Sequence, residues 1–151
     1  MESPEQLAKW KRECRRLERE YPEQPKVVYL ASCYHSERGE HGVDQYIHEA
    51  GILARKIWKL GLAVLCPMKN IAFFDGIDIP DTCWLHGNSE MLRRCDALVI
   101  HSNKELSEGI QEEISVAGDK GIPVFYLMER WKALAAWAKK EKGYVYDRRI
   151  P

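Results

Sequence analysis

The chain has 151 residues, with 23 basic and 23 acidic side chains and a formal net charge of zero. This balance argues against a nucleic-acid-binding surface, and no apolar stretch is long enough to span a bilayer. The five cysteines are scattered and form no C-x-x-C pair. We therefore expect reduced thiols, a cytoplasmic location and a single domain without a zinc site.

The first 25 residues are predicted to form an amphipathic helix and a short linker. Ser3, Pro4 and Gln6 have the spacing of an N-cap, a first helical position and a capping box. The apolar residues of this helix follow at intervals of three and four, as Leu7, Trp10, Cys14, Leu17 and Tyr21. Such a seam packs either on its own domain or on a partner subunit, and the prolines that follow end the helix.

Residues 26–151 alternate between strands and helices, which predicts one α/β domain. Short apolar runs typical of buried parallel strands occupy residues 26–32, 62–66, 97–100 and 122–127, and residues 144–146 can add an edge strand. Helices are predicted at 43–60 and 81–94, between 107 and 121, and at 129–142. The expected fold is an open parallel sheet of about five strands with helices on both faces, of the flavodoxin or Rossmann type.

Two loops stand out from this pattern. The loop after the first strand contains Tyr34, and a lone tyrosine in a loop is ordinarily a surface residue. Residues 68–81 combine apolar residues with aspartates, so Phe73 and Phe74 indicate either a lid over a ligand or a satellite core. Three aspartates on one loop without a phosphate-cradling motif are a weak magnesium signal, and we predict no metal.

The organisation of the chain centres on residues 96–126, a strand, loop, helix and strand. Ser107 is the expected N-cap of this helix, and Gly121 is the position where it should end. In open parallel sheets, ligands bind beyond the carboxyl ends of the strands. We therefore expect Ser107 and the first turns of the helix to face a ligand.

Glu113 is the unexpected residue of this helix. Ile110, Ile114 and Ala117 form the stripe that should pack on the sheet, and Glu113 falls on the same face. Helical side chains lean toward the N-terminus, so its carboxylate would reach back toward the strand ends. A carboxylate on a packing face has to be paired, hydrogen-bonded or functional. The alternative is that Glu113 borders the stripe and extends into solvent.

Residues 107–124 follow the frame Ser-x-Gly-x-x-x-Glu-x-x-x-Ala-x-x-x-Gly-x-x-Val. Further segments are Val-Tyr-Leu-Ala-Ser at 28–32, Gly-Leu-Ala-Val-Leu-Cys-Pro at 61–67 and Cys-Asp-Ala-Leu-Val at 95–99. Together these segments resemble the nucleoside 2-deoxyribosyltransferase superfamily, which includes the 2'-deoxynucleoside 5'-monophosphate N-glycosidases. The resemblance covers residues 27–127 and leaves the N-terminal helix and the tail outside.

The resemblance implies that Glu113 is the catalytic nucleophile and that Ser107 and Gly109 hold a 5'-phosphate. It also implies a substrate pocket lined by Ser32, Tyr34, Trp84 and Asn88. A carboxylate below the anomeric carbon suits the oxocarbenium-like state of glycosidic cleavage, and a hydroxyl at a helix N-terminus suits an anion. Members of this superfamily are commonly dimers or larger homo-oligomers, and the chemistry requires neither a metal nor an organic cofactor.

One position departs from the family pattern. Eight residues before Asp96 the family usually has an aspartate that positions or protonates the leaving base, and this chain has Asn88. An amide can orient a base but cannot deliver a proton at neutral pH. Other candidates for the proton are His86, Asp75, Asp78 and Asp81. Trp84 either stacks on the base or packs in the core, and Asp96, at the entry end of its strand, is expected to be structural.

The sequence thus predicts an enzyme that cleaves the N-glycosidic bond of a deoxynucleoside 5'-monophosphate, by hydrolysis or by transfer to another base. The alternative is a nucleotide-binding protein that has lost turnover and acts as a sensor or sequestering protein. Asn88 favours the alternative. Glu113 favours the enzyme, because a protein that only binds an anion has little use for an inward carboxylate beside it.

Overall fold

The structure, a computed structural model, describes residues 3–20, 25–32, 40–70, 78–101 and 107–140. Helices and strands follow one another as α1 (Pro4–Glu20), β1 (Val27–Ala31), α2 (Glu40–Trp58), β2 (Ala63–Leu65), α3 (Pro67–Asn70), α4 (Asp81–Arg93), β3 (Ala97–Ile100), α5 (Glu108–Lys120), β4 (Val124–Tyr126) and α6 (Leu127–Lys140).

The four strands form one sheet in the order β2-β1-β3-β4, and every neighbouring pair is parallel. Short, nearly continuous apolar runs are typical of parallel strands covered on both sides, and all four residues of β3 are buried. The predicted fifth strand at 144–146 lies outside the described residues. The sheet is therefore shown with four strands where about five were expected.

Both faces of the sheet are covered by helices, because successive strand side chains point to opposite sides. One buried cluster joins α2, α3 and α6 to Val28, Leu30, Ala97, Val99 and Phe125. The other joins α4 and α5 to Tyr29, Ala31, Leu98 and Ile100. This arrangement confirms the predicted α/β class with a parallel sheet.

One prediction is wrong for the segment that begins at residue 67. Residues from 68 onward were predicted to be irregular, but Pro67–Asn70 forms the helical turn α3. The backbone amides of Lys69 and Asn70 both donate to the Cys66 carbonyl, at 2.9 and 3.1 Å, and Pro67 is suited to the first helical position. Met68 is thereby buried in the core. Phe73 and Phe74, the proposed lid residues, lie outside the described residues.

The N-terminal helix α1 begins as predicted. The Ser3 amide donates to Gln6 Oε1 at 2.8 Å, and the Gln6 amide donates to Ser3 Oγ at 3.2 Å, which is a capping box. None of the α1 residues is buried, and the side chains of Leu7 and Trp10 are 41% and 62% exposed. The apolar seam of α1 therefore does not enter either of the two buried clusters.

Asp96 ties together the entry ends of the two central strands. Its Oδ2 accepts a hydrogen bond from the Val27 amide at 2.7 Å, and its Oδ1 lies 3.6 Å from Lys26 Nζ. A charge-assisted hydrogen bond of this kind is stronger than a neutral one. Asp96 thus stands at the edge of the sheet opposite to Ser107, where a structural role was expected.

Helix α5 begins and ends at the predicted residues. The Ser107 hydroxyl accepts the Ile110 amide at 3.3 Å, and Gly121 adopts a left-handed conformation with φ of 72°. A side chain in that conformation is strained, so glycine is favoured there. Other boundaries differ from the prediction by up to three residues: α2 begins at residue 40 instead of 43, and α6 begins at residue 127 instead of 129. The predicted end of α6 at residue 142 lies outside the described residues.

We predict opposite effects for two glycines of α5. Gly121→Ala should lower the free energy of unfolding by about 1 kcal/mol, because alanine is strained at positive φ. Gly118→Ala should raise it by roughly 0.5–1 kcal/mol, because no described residue comes within 4 Å of a Cβ added at this helical position. Urea denaturation measures both. Equal effects of the two substitutions would contradict the left-handed helix end.

Candidate functional site

The strand order creates a switch point between β1 and β3. The chain passes from β1 to β2 on one side and then crosses to β3 on the other side of β1. The connections that follow β1 and β3 therefore lead to helices on opposite faces, and in open sheets this divergence leaves a crevice beyond the carboxyl ends. The described residues at this edge include Ser32, His101 and Ser107.

Glu113 points toward the sheet and contacts β1. The hydroxyl of Tyr29 donates a hydrogen bond of 2.6 Å to Glu113 Oε1. Tyr29 is fully buried and Glu113 is half-buried. The adjacent Glu112 is exposed, as expected one residue away on a helix. Glu113 is therefore turned inward, and the interpretation in which it extends into solvent is wrong.

Burial alters the electrostatics of this pair. It raises the pKa of Glu113 from 4.5 to about 7, although the hydrogen bond from Tyr29 acts in the opposite direction. Burial and the nearby carboxylate also raise the pKa of Tyr29 well above its usual range, so the tyrosine remains a donor. A carboxyl group that titrates near neutrality, held by a neutral hydroxyl, is an arrangement found at functional sites.

Ser107 and Gly109 form the beginning of α5 at the same edge. Ser107 Oγ accepts the Ile110 amide, so the hydroxyl hydrogen can still be donated to another acceptor. Among the described residues, a Cβ added at Gly109 would meet Ser107 Oγ alone, at the ordinary contact distance of 3.9 Å. Ser107 precedes Glu113 by six residues, which is about 9 Å along a helix axis.

Ser32 and His101 meet at the carboxyl ends of β1 and β3. Ser32 Oγ lies 3.4 Å from His101 Nδ1, and the His101 amide donates to the Ala31 carbonyl at 3.0 Å. The backbone contact extends the pairing of the two strands by one residue. Both side chains are half-buried. Ser32, predicted to line the pocket, is thus placed at the expected edge together with a histidine that was not predicted.

Trp84 and Asn88 lie on α4, which packs against α5. Both are half-buried and precede the buried Leu92 at intervals of four, so the three residues share one helix face. Because α4 leads directly into β3 and runs opposite to it, Trp84 and Asn88 lie nearer the carboxyl edge than Leu92 does. Tyr34 lies outside the described residues.

Among the described residues, the other proton-donor candidates are exposed to solvent. His86, Asp78 and Asp81 are exposed on or just before α4, and Asp75 lies outside the described residues. Within the described ranges, no group of three or more histidine, cysteine, aspartate or glutamate side chains could hold a metal ion. In the same part of the chain, no helix has the length and apolar character needed to cross a membrane.

Sequence reasoning missed Tyr29 and His101. Tyr29 was treated as an apolar strand residue, although a buried tyrosine hydroxyl needs a hydrogen-bond partner and could have been paired with the inward carboxylate. His101 is the first polar residue after the buried run 97–100. Its position at a carboxyl strand end was the available signal.

Comparison with models of known protein families finds no match for this chain, and comparison with curated proteins finds none either. The assignment of a function therefore depends on the geometry of the site and on the motif resemblance.

The raised pKa of Glu113 predicts a pH-dependent stability. Between pH 4.5 and about 7 the unfolded carboxyl is ionised while the folded one retains its proton, so folding stability decreases as pH rises through this range. Glu113→Gln removes this titration and keeps an acceptor for Tyr29. As the pH rises, the free energy of unfolding of the variant should increase relative to that of the natural protein, by at most about 1.4 kcal/mol per pH unit.

Urea denaturation between pH 5 and pH 8 measures this difference. Glu112→Gln is the matched control, because Glu112 is exposed beside it, and it should follow the natural protein at every pH. Glu113→Gln and the natural protein could instead differ in free energy of unfolding by the same amount at every pH in this range. That result would contradict the burial of the carboxyl group.

Proposed function

We propose that this protein cleaves the N-glycosidic bond of a deoxynucleoside 5'-monophosphate, by hydrolysis or by transfer to another base. The observation that carries the proposal is the half-buried carboxylate of Glu113, held by Tyr29 at 2.6 Å beside the switch point of the sheet. Such a carboxylate can attack or stabilise the anomeric carbon of a bound sugar.

The motif resemblance supports the same proposal, because four residues of the frame have a physical role in α5 or at its end. Ser107 caps the helix, Glu113 faces the sheet, Ala117 is fully buried, and Gly121 ends the helix in a left-handed conformation. A chance match of spaced residues would have no reason to coincide with a cap, a contact and a helix end. The frame therefore describes a strand-facing helix that presents one carboxylate.

In the proposed reaction, Tyr29 holds one oxygen of Glu113 and the other attacks C1' of the sugar. Attack requires the ionised carboxylate, and the pKa of about 7 provides that form at and above neutrality. Burial also removes part of the hydration shell of the nucleophile, which strengthens its interaction with a developing positive charge. Water then hydrolyses the glycosyl ester, or an incoming base takes the sugar.

The proposed phosphate site is the N-terminus of α5. The Ser107 hydroxyl can donate to a phosphate oxygen, and the amides of a first helical turn have no acceptor within the helix. The backbone rises by about 9 Å between Ser107 and Glu113. The Glu113 carboxylate lies closer to Ser107 than this rise, because helical side chains lean toward the N-terminus. This spacing suits a sugar 5-phosphate with its anomeric carbon at Glu113. Trp84 and Asn88, on α4, would then line the pocket on the same side as Glu113.

We also propose a flavodoxin-like sheet, a homo-oligomer and a cytoplasmic location. The order β2-β1-β3-β4 is that of the first four strands of a flavodoxin-like sheet, whose ligands bind at the β1/β3 switch point. A homo-oligomer is supported by the exposed apolar side chains of Leu7 and Trp10 on α1. A cytoplasmic location is supported by the free thiols of the four described cysteines.

A second candidate is a nucleotide-binding protein without turnover. It is favoured by Asn88, which cannot protonate a leaving base. Such a protein would be stabilised by a nucleotide, with a rise in melting temperature that depends on concentration, and would release no base.

The assay for the proposed function is release of free base from each common deoxynucleotide and deoxynucleoside, followed by chromatography. We expect release from nucleotides, and Glu113→Gln should lower it by at least about two orders of magnitude because the nucleophile is lost. Glu112→Gln, which alters an exposed neighbour, should retain full release. Thermal stabilisation by nucleotides without any release would instead support the binding protein.

The pH profile offers a separate prediction. The rate should fall as pH decreases through about 7, where Glu113 takes up a proton. Tyr29→Phe removes the hydrogen bond that lowers the pKa of Glu113, so this acid limb should move to higher pH. Tyr46→Phe on α2, at the other face of the sheet, is the control and should leave the limb in place. An acid limb that stays or moves to lower pH in Tyr29→Phe would contradict the role of the tyrosine.

A further inference from the structure

Cleavage of an N-glycosidic bond needs an acid as well as a nucleophile. The base departs with the bonding electron pair, and a neutral base is released only if one of its nitrogens gains a proton. Glu113 must be ionised to attack, and Tyr29 donates its hydrogen bond to that carboxylate. Asn88 has no acidic proton at neutral pH. Among the described residues, we therefore look for the source of the proton in another side chain at this edge.

In the part of the chain that the structure describes, His101 is a side chain with acid–base chemistry at the ends of both central strands. Its ring contacts Ser32 at the end of β1, with Nδ1 3.4 Å from Ser32 Oγ, and its amide donates to the Ala31 carbonyl at 3.0 Å. The ring and the backbone are thus both held by β1. The side chain is half-buried, so part of it remains accessible at the edge.

The placement of His101 suits an acid that acts opposite Glu113. Ala31 and Ile100 face the α4 and α5 side of the sheet, together with Tyr29. Alternation of strand side chains directs the next residues, Ser32 and His101, toward the other side of the edge. A nucleophile attacks the anomeric carbon from the side opposite the leaving group. A sugar lying across the strand ends would therefore meet Glu113 on one side and present its base to the other.

Resting on the proposed function, we infer that His101, positioned by Ser32, is the acid that protonates the leaving nucleobase. In the protonated ring, Nδ1–H donates to Ser32 Oγ and Nε2–H is directed at a base nitrogen. The C1'–N bond breaks, its electron pair moves to the base, the base nitrogen takes the Nε2 proton, and a Glu113 oxygen bonds to C1'. Water then attacks C1', gives its proton to Nε2, and the ester electrons return to Glu113.

The test compares two substrates that differ in their need for an acid. The base of 2'-deoxyguanosine 5'-monophosphate needs a proton to leave, whereas that of N7-methyl-2'-deoxyguanosine 5'-monophosphate is already cationic and leaves as a neutral molecule. His101→Gln should lower kcat for the first substrate by about a hundredfold or more. It should leave kcat for the methylated substrate within a factor of about two.

Two further variants separate an acid from a structural residue. Ser32→Ala should also lower kcat for the unmethylated substrate alone, but by a smaller factor. This substitution removes the hydrogen-bond partner of the His101 ring and leaves the ring itself in place. His48→Gln, at an exposed position of α2, should cleave both substrates at the natural rate. Melting temperatures verify the fold, and His101→Asn replaces His101→Gln in the comparison if the glutamine variant melts at a lower temperature.

The outcomes distinguish this inference from the proposed function. Release of base by the natural protein from neither of these substrates nor any other common deoxynucleotide overturns the proposed function, and the role of His101 with it. Glu113-dependent cleavage that His101→Gln leaves unchanged, or lowers equally for both substrates, overturns only the role of His101. A selective loss in His86→Gln instead would assign the acid to α4 and overturn it as well.

Discussion

The hydrogen bond between Tyr29 and Glu113 is the constraint on which the site depends. It joins the middle of β1 to the second turn of α5, across 84 positions of the sequence. The tyrosine has no contact with water, so its hydroxyl would remain unsatisfied without the carboxylate. The carboxylate in turn loses hydration on the packing face of a helix. Each group satisfies the other, and the pair holds one glutamate oxygen in a defined position.

This arrangement opposes folding stability and favours reactivity. A carboxyl group whose pKa is raised to about 7 destabilises the folded protein at neutral pH relative to a group that titrates in water. The same burial makes the ionised form a stronger partner for a developing positive charge. A glutamine would satisfy Tyr29 without this effect on stability. The presence of a carboxylate at this position therefore supports the proposed reaction.

The parallel sheet supplies the second part of the site. Because β1 and β3 are neighbours, their carboxyl ends bring Ser32 and His101 within 3.4 Å of each other. The connections after these strands lead to opposite faces, so side chains from both faces converge at one edge. The rigid elements hold the polar groups there, since β1, β3 and α5 all begin or end at this edge. Asp96 stabilises the opposite edge and takes no part in it.

Much of this organisation was determined by the sequence itself. The strand runs, the capping box of α1, the Ser107 cap, the Gly121 helix end and the helix face that carries Glu113 all follow from residues a few positions apart, and the structure contains each of them. Local propensity and periodicity determine such features. The turn at 67–70 was missed because burial of Met68, a tertiary effect, favours it.

Only the tertiary structure decided which distant residues meet. Tyr29 and Glu113 are separated by 84 positions, and Ser32 and His101 by 69. Their contacts require β1 to lie beside β3, and an apolar strand run is equally compatible with several strand orders. The sequence therefore identified a carboxylate in need of a partner. The order of strands supplied the tyrosine and brought the histidine to the same edge.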